Sequence, residues 1–213
     1  MTTDPAEATA GRGADGRPRD GGSGRPLRAD ARRNRERVLE VAFGVFAAEG
    51  LAVPVHEIAR RAGVGTGTVS RHFPTKEALF QAVFVDRVER LADRARDLAA
   101  AGDPGAAFLE FFALVVAEGA ANRGLAEALA GTGFDLEAAA GGAGNDITGA
   151  LRDLLARAQH AGAIRDDIEI ADVKALLEGC LARERVTADA AARDRVIAVV
   201  SQGMLAPAAP RRA

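Results

Sequence analysis

The chain has 213 residues, 48% hydrophobic and 27% charged, which excludes a fibrous or wholly disordered protein and fits a globular one. A single cysteine, Cys180, excludes an internal disulfide framework, and no apolar segment of signal-peptide type opens the chain, so a cytoplasmic location is expected. The net charge of -2 hides an asymmetry: residues 25–80 hold ten basic and six acidic side chains, so the remainder is acidic and the basic end is expected to meet a polyanion.

In chain order, residues 1–27 read as a disordered tail. Their segment 11-GRGADGRPRDGGSGRP-26 has no apolar residue larger than alanine and cannot offset its ordering entropy. In 31-ARRNRERVLEVAFGVFAAEG-50 the apolar Val38, Val41, Ala42, Val45 and Phe46 recur at helical spacing, and Gly50 ends that helix. A short helix follows over 55–62, opened by Pro54, and a second over 66–73, stopped by Pro74. Thr75 is placed to cap a long helix carrying Phe84, Val88, Leu91, Ala95 and Leu98, and Asp103 with Pro104 opens another. A shorter helix spans 123–130. After the break 141-GGAG-144, helices are predicted over 146–161, 170–183 and 188–204. No segment sustains strand alternation, so the fold class is all-α. The longest apolar run, 106–121, is interrupted by Glu110 and Glu118, and no membrane partner is expected.

The stretch 63-GVGTGTVSRHF-73 decides between two phosphate-binding readings. A dinucleotide loop needs a strand before G-x-G-x-x-G, and a Walker loop needs Gly-Lys-Ser/Thr; this chain has G-x-G-x-G after a helical segment and no such lysine. A helix-turn-helix needs two short helices joined by a turn holding glycine, which Gly63 supplies. Val64, Val69 and Phe73 then face inward, leaving Thr66, Thr68, Ser70, Arg71 and His72 open, where hydroxyls reach phosphate oxygens and Arg71 a guanine edge or a phosphate. Lys76 sits in the first turn of the next helix, against the macrodipole, which suits a phosphate opposite it.

The segment 57-EIARRAGVGTGTVSRHFPTKEALF-80 resembles the DNA-binding signature of TetR-type transcriptional regulators, and the likeness spans roughly residues 28–84. The resemblance implies a homodimer that places an N-terminal three-helix domain (28–75) on double-stranded operator DNA. It implies contacts from Val55, His56, Thr66, Gly67, Thr68, Ser70, Arg71 and His72, with Lys76 on phosphate. Arg32 and Arg33, in the flank 28-RADARRNRER-37, are expected to add phosphate contacts. The chain departs from the family in three places: Ser70 stands for the usual Tyr, Gly65 for a capping Ser or Thr, and Val53-Pro54 for the Thr that opens the first motif helix.

The resemblance further implies that residues 76–206 form a helical effector-binding and dimerisation domain, followed by a disordered tail at 207–213. Phe84, Phe108, Phe111, Phe112, Phe134, Leu151 and Leu155 are candidates for an effector pocket, or equally for a solid core. Asn122, Asn145, Gln159 and His160 are the polar candidates near it. Val173, Leu176, Leu177 and Cys180 on one helix, and Val196, Val199 and Val200 on the last, make stripes suited to a dimer seam or to packing within one subunit. The three histidines and Cys180 lack metal-ligand spacing, no catalytic constellation is present, and no cofactor is expected. The expected function is a repressor released from a palindromic operator by a small molecule. The alternatives are a DNA-binding regulator without an inducer and a helical small-molecule enzyme.

Overall fold

A computed structural model describes residues 24–100, 102–130, 132–135, 138–139, 145–186 and 189–207. Nine helices occur among them: α1 Gly24–Glu49, α2 Val55–Arg61, α3 Thr66–His72, α4 Lys76–Ala99, α5 Pro104–Ala121, α6 Arg123–Ala130, α7 Ile147–His160, α8 Ile170–Val186 and α9 Ala190–Met204. The all-α reading holds. Helix α1 starts at Gly24, inside the segment read as tail, while residues 1–23 and 208–213 lie outside the described residues, as does the 141–144 break.

Local chemistry sets the helix starts. Thr75 accepts from the Ala78 N–H at 3.0 Å and Asp103 from Ala106 at 3.1 Å, the two caps that the sequence predicts. Asp146 and Asp189 cap α7 and α9 in the same way. Gly50 and Gly63 take φ of 79° and 67°, a left-handed conformation that costs a side chain about 1–2 kcal/mol.

Two cores form. The first gathers Val38, Leu39 and Ala42 of α1, Ile58 and Ala59 of α2, Val69 and Phe73 around α3, and Leu79, Phe80 and Val83 of α4. Leu125 and Leu129 of α6 join it, so a helix from the body braces the N-terminal unit. The second core is built on α5: Phe108, Phe111, Phe112 and Val116 are fully buried against Leu151, Leu154 and Leu155 of α7 and Val173, Leu177 and Cys180 of α8. By length and composition α5 is apolar enough to cross a membrane, with mean hydropathy 1.4, but here it is the helix around which the body packs.

Helix α4 contributes Leu79, Phe80 and Val83 to the first core and Ala95 and Leu98 to the second. The two cores therefore share one helix, and no loop separates them at residue 75. At the far end, the isolated bridge between Ile164 and Leu205 and the Arg165 N–H to Met204 carbonyl bond (3.0 Å) tie the end of α9 to the loop after α7.

Candidate nucleic-acid interface and effector cavity

Helices α2 and α3 are joined by a turn whose bonds account for its sequence. The Gly63 N–H donates to Arg60 and the Val64 N–H reaches back to Ala59, at 3.1 and 3.0 Å. This 5→2 and 6→1 pair, with Gly63 left-handed and Val64 plugging the corner, is a Schellman stop. Ile58, Ala59 and Val69, all fully buried, lock the two helices together, so α3 is held by its inner face and its outer face is free.

On that outer face Thr66, Gly67, Ser70, Arg71 and His72 are exposed and Thr68 is partly so. No protein atom lies within 4 Å of where a Cβ on Gly67 would stand, so the backbone is open to close approach there. Gly65 is the N-cap of α3 and supplies no side-chain cap, as its departure from the family pattern implies. His56 is exposed at the start of α2, but Val55 beside it packs partly against the first core. Lys76 lies half-buried at the start of α4, with Nζ 5.8 Å from the centre of the Phe80 ring.

Arg32 and Arg33 are exposed on α1, yet each already faces a carboxylate: Arg32 pairs with Glu36 at 3.4 Å and Arg33 with Asp30. Arg35 is the residue that sequence reasoning passed over. Its guanidinium stands 5.8 Å from the centre of the Phe73 ring at the end of α3, with no carboxylate partner among the described residues. Its register on α1 held no signal for this, because its partner is distant in sequence. Arg60 and Arg61 are engaged elsewhere, gripping Glu57, with Arg61 also paired to Glu49 at the end of α1. These contacts, chiefly the bonds from Arg60 and Arg61, hold the Glu57 carboxyl down at about 2.

The body contains a cavity of about 320 Å³ between α4, α5, α7 and α8. Phe84 and Leu151 line it as expected. Phe108, Phe111, Phe112 and Leu155 do not: they fill the solid second core. Phe134 packs edge-on against Phe84, centroids 6.0 Å apart, beside the first core rather than in the wall. Helical spacing says which residues share a face, but not whether the facing helices close on it.

The remaining wall comes from residues without a sequence signal, including Val88, Leu91, Val115 and Leu177. Among the polar candidates Asn122 lines the cavity, while Asn145, Gln159 and His160 do not. Arg87 and Glu118 also line it and pair with each other, Arg87 Nε donating to Glu118 Oε2 at 3.1 Å. The Asn122 side-chain N–H donates to the same oxygen at 3.0 Å. Away from the cavity, Arg87 stacks on Phe43 of α1, 4.0 Å from the ring centre, with Glu40 of α1 also within 4.0 Å.

The stripes on α8 and α9 divide. Val173, Leu177 and Cys180 are buried in their own subunit's core, which corrects their assignment to a dimer seam. Burial also pushes the Cys180 thiol up, keeping it protonated and unreactive. Leu176, Val196 and Val200 are partly buried, and Val199 is 69% exposed.

The fold and the free outer face of α3 define a helix-turn-helix DNA-binding protein. Residues 38–83 match the family model for bacterial regulatory proteins of the tetR family, and residues 103–206 match that for the C-terminal domain of SbtR-like transcriptional regulators. A TetR transcription regulatory protein from Mycobacterium vanbaalenii is 52% identical over 84% of this chain and 99% of its own, with a TM-score of 0.70. A TetR transcriptional regulator from Streptomyces coelicolor is 33% identical over 82% of this chain and 99% of its own, with a TM-score of 0.67. Over 54 residues, 25% of this chain, the match to an HTH-type transcriptional regulator of Staphylococcus aureus (strain USA300) is 41% identical but spans only 29% of that protein's length. This chain belongs to the TetR family of DNA-binding transcriptional regulators.

Proposed function

We propose that the protein is a cytoplasmic repressor that binds a palindromic operator as a homodimer and leaves it when a small molecule fills the cavity between α4, α5, α7 and α8. The observation that carries this reading is Arg87, which lines the cavity with Glu118 and rests on Phe43 of α1. Helix α1 packs on α2 and α3, so a change in the cavity wall has a short physical route to the DNA-binding face. Two recognition helices read two half-sites only at the correct separation. A ligand that fits the other separation better shifts the population away from the operator-binding state.

On the DNA, Thr66, Gly67, Thr68, Ser70, Arg71 and His72 enter the major groove, with His56 beside them. Lys76 and Arg35 meet phosphate, with smaller help from the already paired Arg32 and Arg33. The dimer seam uses the outer faces of α8 and α9 around Leu176, Val196, Val199 and Val200.

The test is fluorescence anisotropy with the DNA upstream of the protein's own gene. A tight complex that competes out with itself, not with random DNA, and weakens steeply with salt is expected. Binding no tighter than to random DNA overturns the operator reading. If compounds bind the protein yet leave operator affinity unchanged, release by a small molecule is wrong.

A further inference from the structure

The chemistry of the cavity wall names the class of molecule it takes. Much of the wall is apolar, with Phe84, Val88, Leu91, Val115 and Leu151 among its residues, so the ligand has an apolar body. The wall charges cancel: Arg87 and Glu118 pair with each other, while Lys174 and Glu178 lie one turn apart on α8. No net field favours an ionic ligand.

One wall residue keeps an unmet valence. Asn122 is 9% exposed, and its Oδ1 has no hydrogen-bond partner among the described residues. The orientation of this amide is fixed by its neighbours. Its Nδ2 donates to the Glu118 backbone carbonyl and to Glu118 Oε2, both at 3.0 Å, and the reverse orientation would set oxygen against two acceptors. What is missing at this wall is therefore a donor. A volume of about 320 Å³ holds about ten non-hydrogen atoms at the packing of liquid water.

We propose that the cavity binds a neutral, largely apolar molecule of about this size whose single hydroxyl or amide N–H donates to Asn122 Oδ1. This rests on the reading of the cavity as the effector site and adds the chemistry of the effector.

The test is isothermal titration calorimetry on the full chain with three compounds of matched shape. These are 4-butylphenol, 4-butyltoluene, which lacks the donor, and 4-butylbenzylamine, which is cationic at pH 7. The phenol is expected to bind about tenfold tighter than either. In Asn122→Leu, the phenol's advantage over the toluene disappears while the toluene still binds. If Asn122→Leu fails to fold, Val115→Phe stands in for it: filling the cavity from the opposite wall is expected to abolish binding of all three. Equal binding of phenol and toluene to the native protein overturns the proposal, as does tightest binding by the amine, no binding at all, or binding that survives Val115→Phe. Operator anisotropy on the same samples separates the two readings. A donor preference without DNA release leaves this proposal standing and overturns the inducer reading, while DNA release without a donor preference does the reverse.

Discussion

Arg71 stands one residue before the end of α3, exposed and with no carboxylate partner among the described residues. A free guanidinium on a groove-facing helix reads a guanine edge. Arg71→Ala is expected to lose about 1–3 kcal/mol of discrimination at one base pair, measured by anisotropy on single-base operator variants. Equal weakening on every variant would make it a phosphate contact. Gly63 acts on stability instead. Nothing lies within 4 Å of its missing Cβ, so Gly63→Ala meets no clash and its cost is purely conformational. A loss of about 1–2 kcal/mol in chemical denaturation is expected; no loss would mean that the turn tolerates another conformation.

At the scale of elements, Glu57 ties α2 to itself through Arg60 and, through Arg61 and Glu49, to the end of α1. Its folded value of about 2 lies below the ordinary 4.5, so its contribution is complete above pH 4.5 and fades as the pH falls through 2. The melting temperature is expected to drop more steeply across that window in the native protein than in Glu57→Gln, and high salt should shrink the difference. Parallel curves would show that the cluster contributes nothing. Arg87 joins cavity to DNA-binding unit. Arg87→Leu keeps apolar contact with Phe43 but loses Glu118, and is expected to bind operator while responding at least tenfold less to a compound that releases the native protein. An unchanged response would place the coupling elsewhere.

For the whole molecule, the dimer depends on what α8 and α9 leave uncovered. Val199 is the most exposed large apolar side chain on α9, and a charge buried there in an interface would be unpaired. Val199→Asp is expected to shift the protein to monomer in sedimentation equilibrium and to cost the operator affinity that pairing two half-sites supplies. A dimer that persists at micromolar concentration would move the seam to another face.

The all-α fold, the caps at Thr75 and Asp103, and the Gly63 stop were legible because each rests on residues within a few positions of one another. The outer face of α3 was legible for the same reason: a helix of seven residues locked by Val69 has one free side. The pocket and the dimer seam were not. Phe108, Phe111 and Phe112 share a stripe with the same periodicity whether they line a cavity or fill a core, and the close packing of α7 and α8 on α5 decided for core. In the same way Val173, Leu177 and Cys180 turned inward while Val199 stayed outside. Arg87, Glu118 and Asn122 became a site only when α4 and α5 came together beside α1. The sequence by itself determined this protein's helices, its turn and its DNA-facing residues, since those follow from local dihedral and hydrogen-bond preferences. Only the tertiary structure decided where empty space remains, because a cavity is a property of the distance between helices that no single helix encodes.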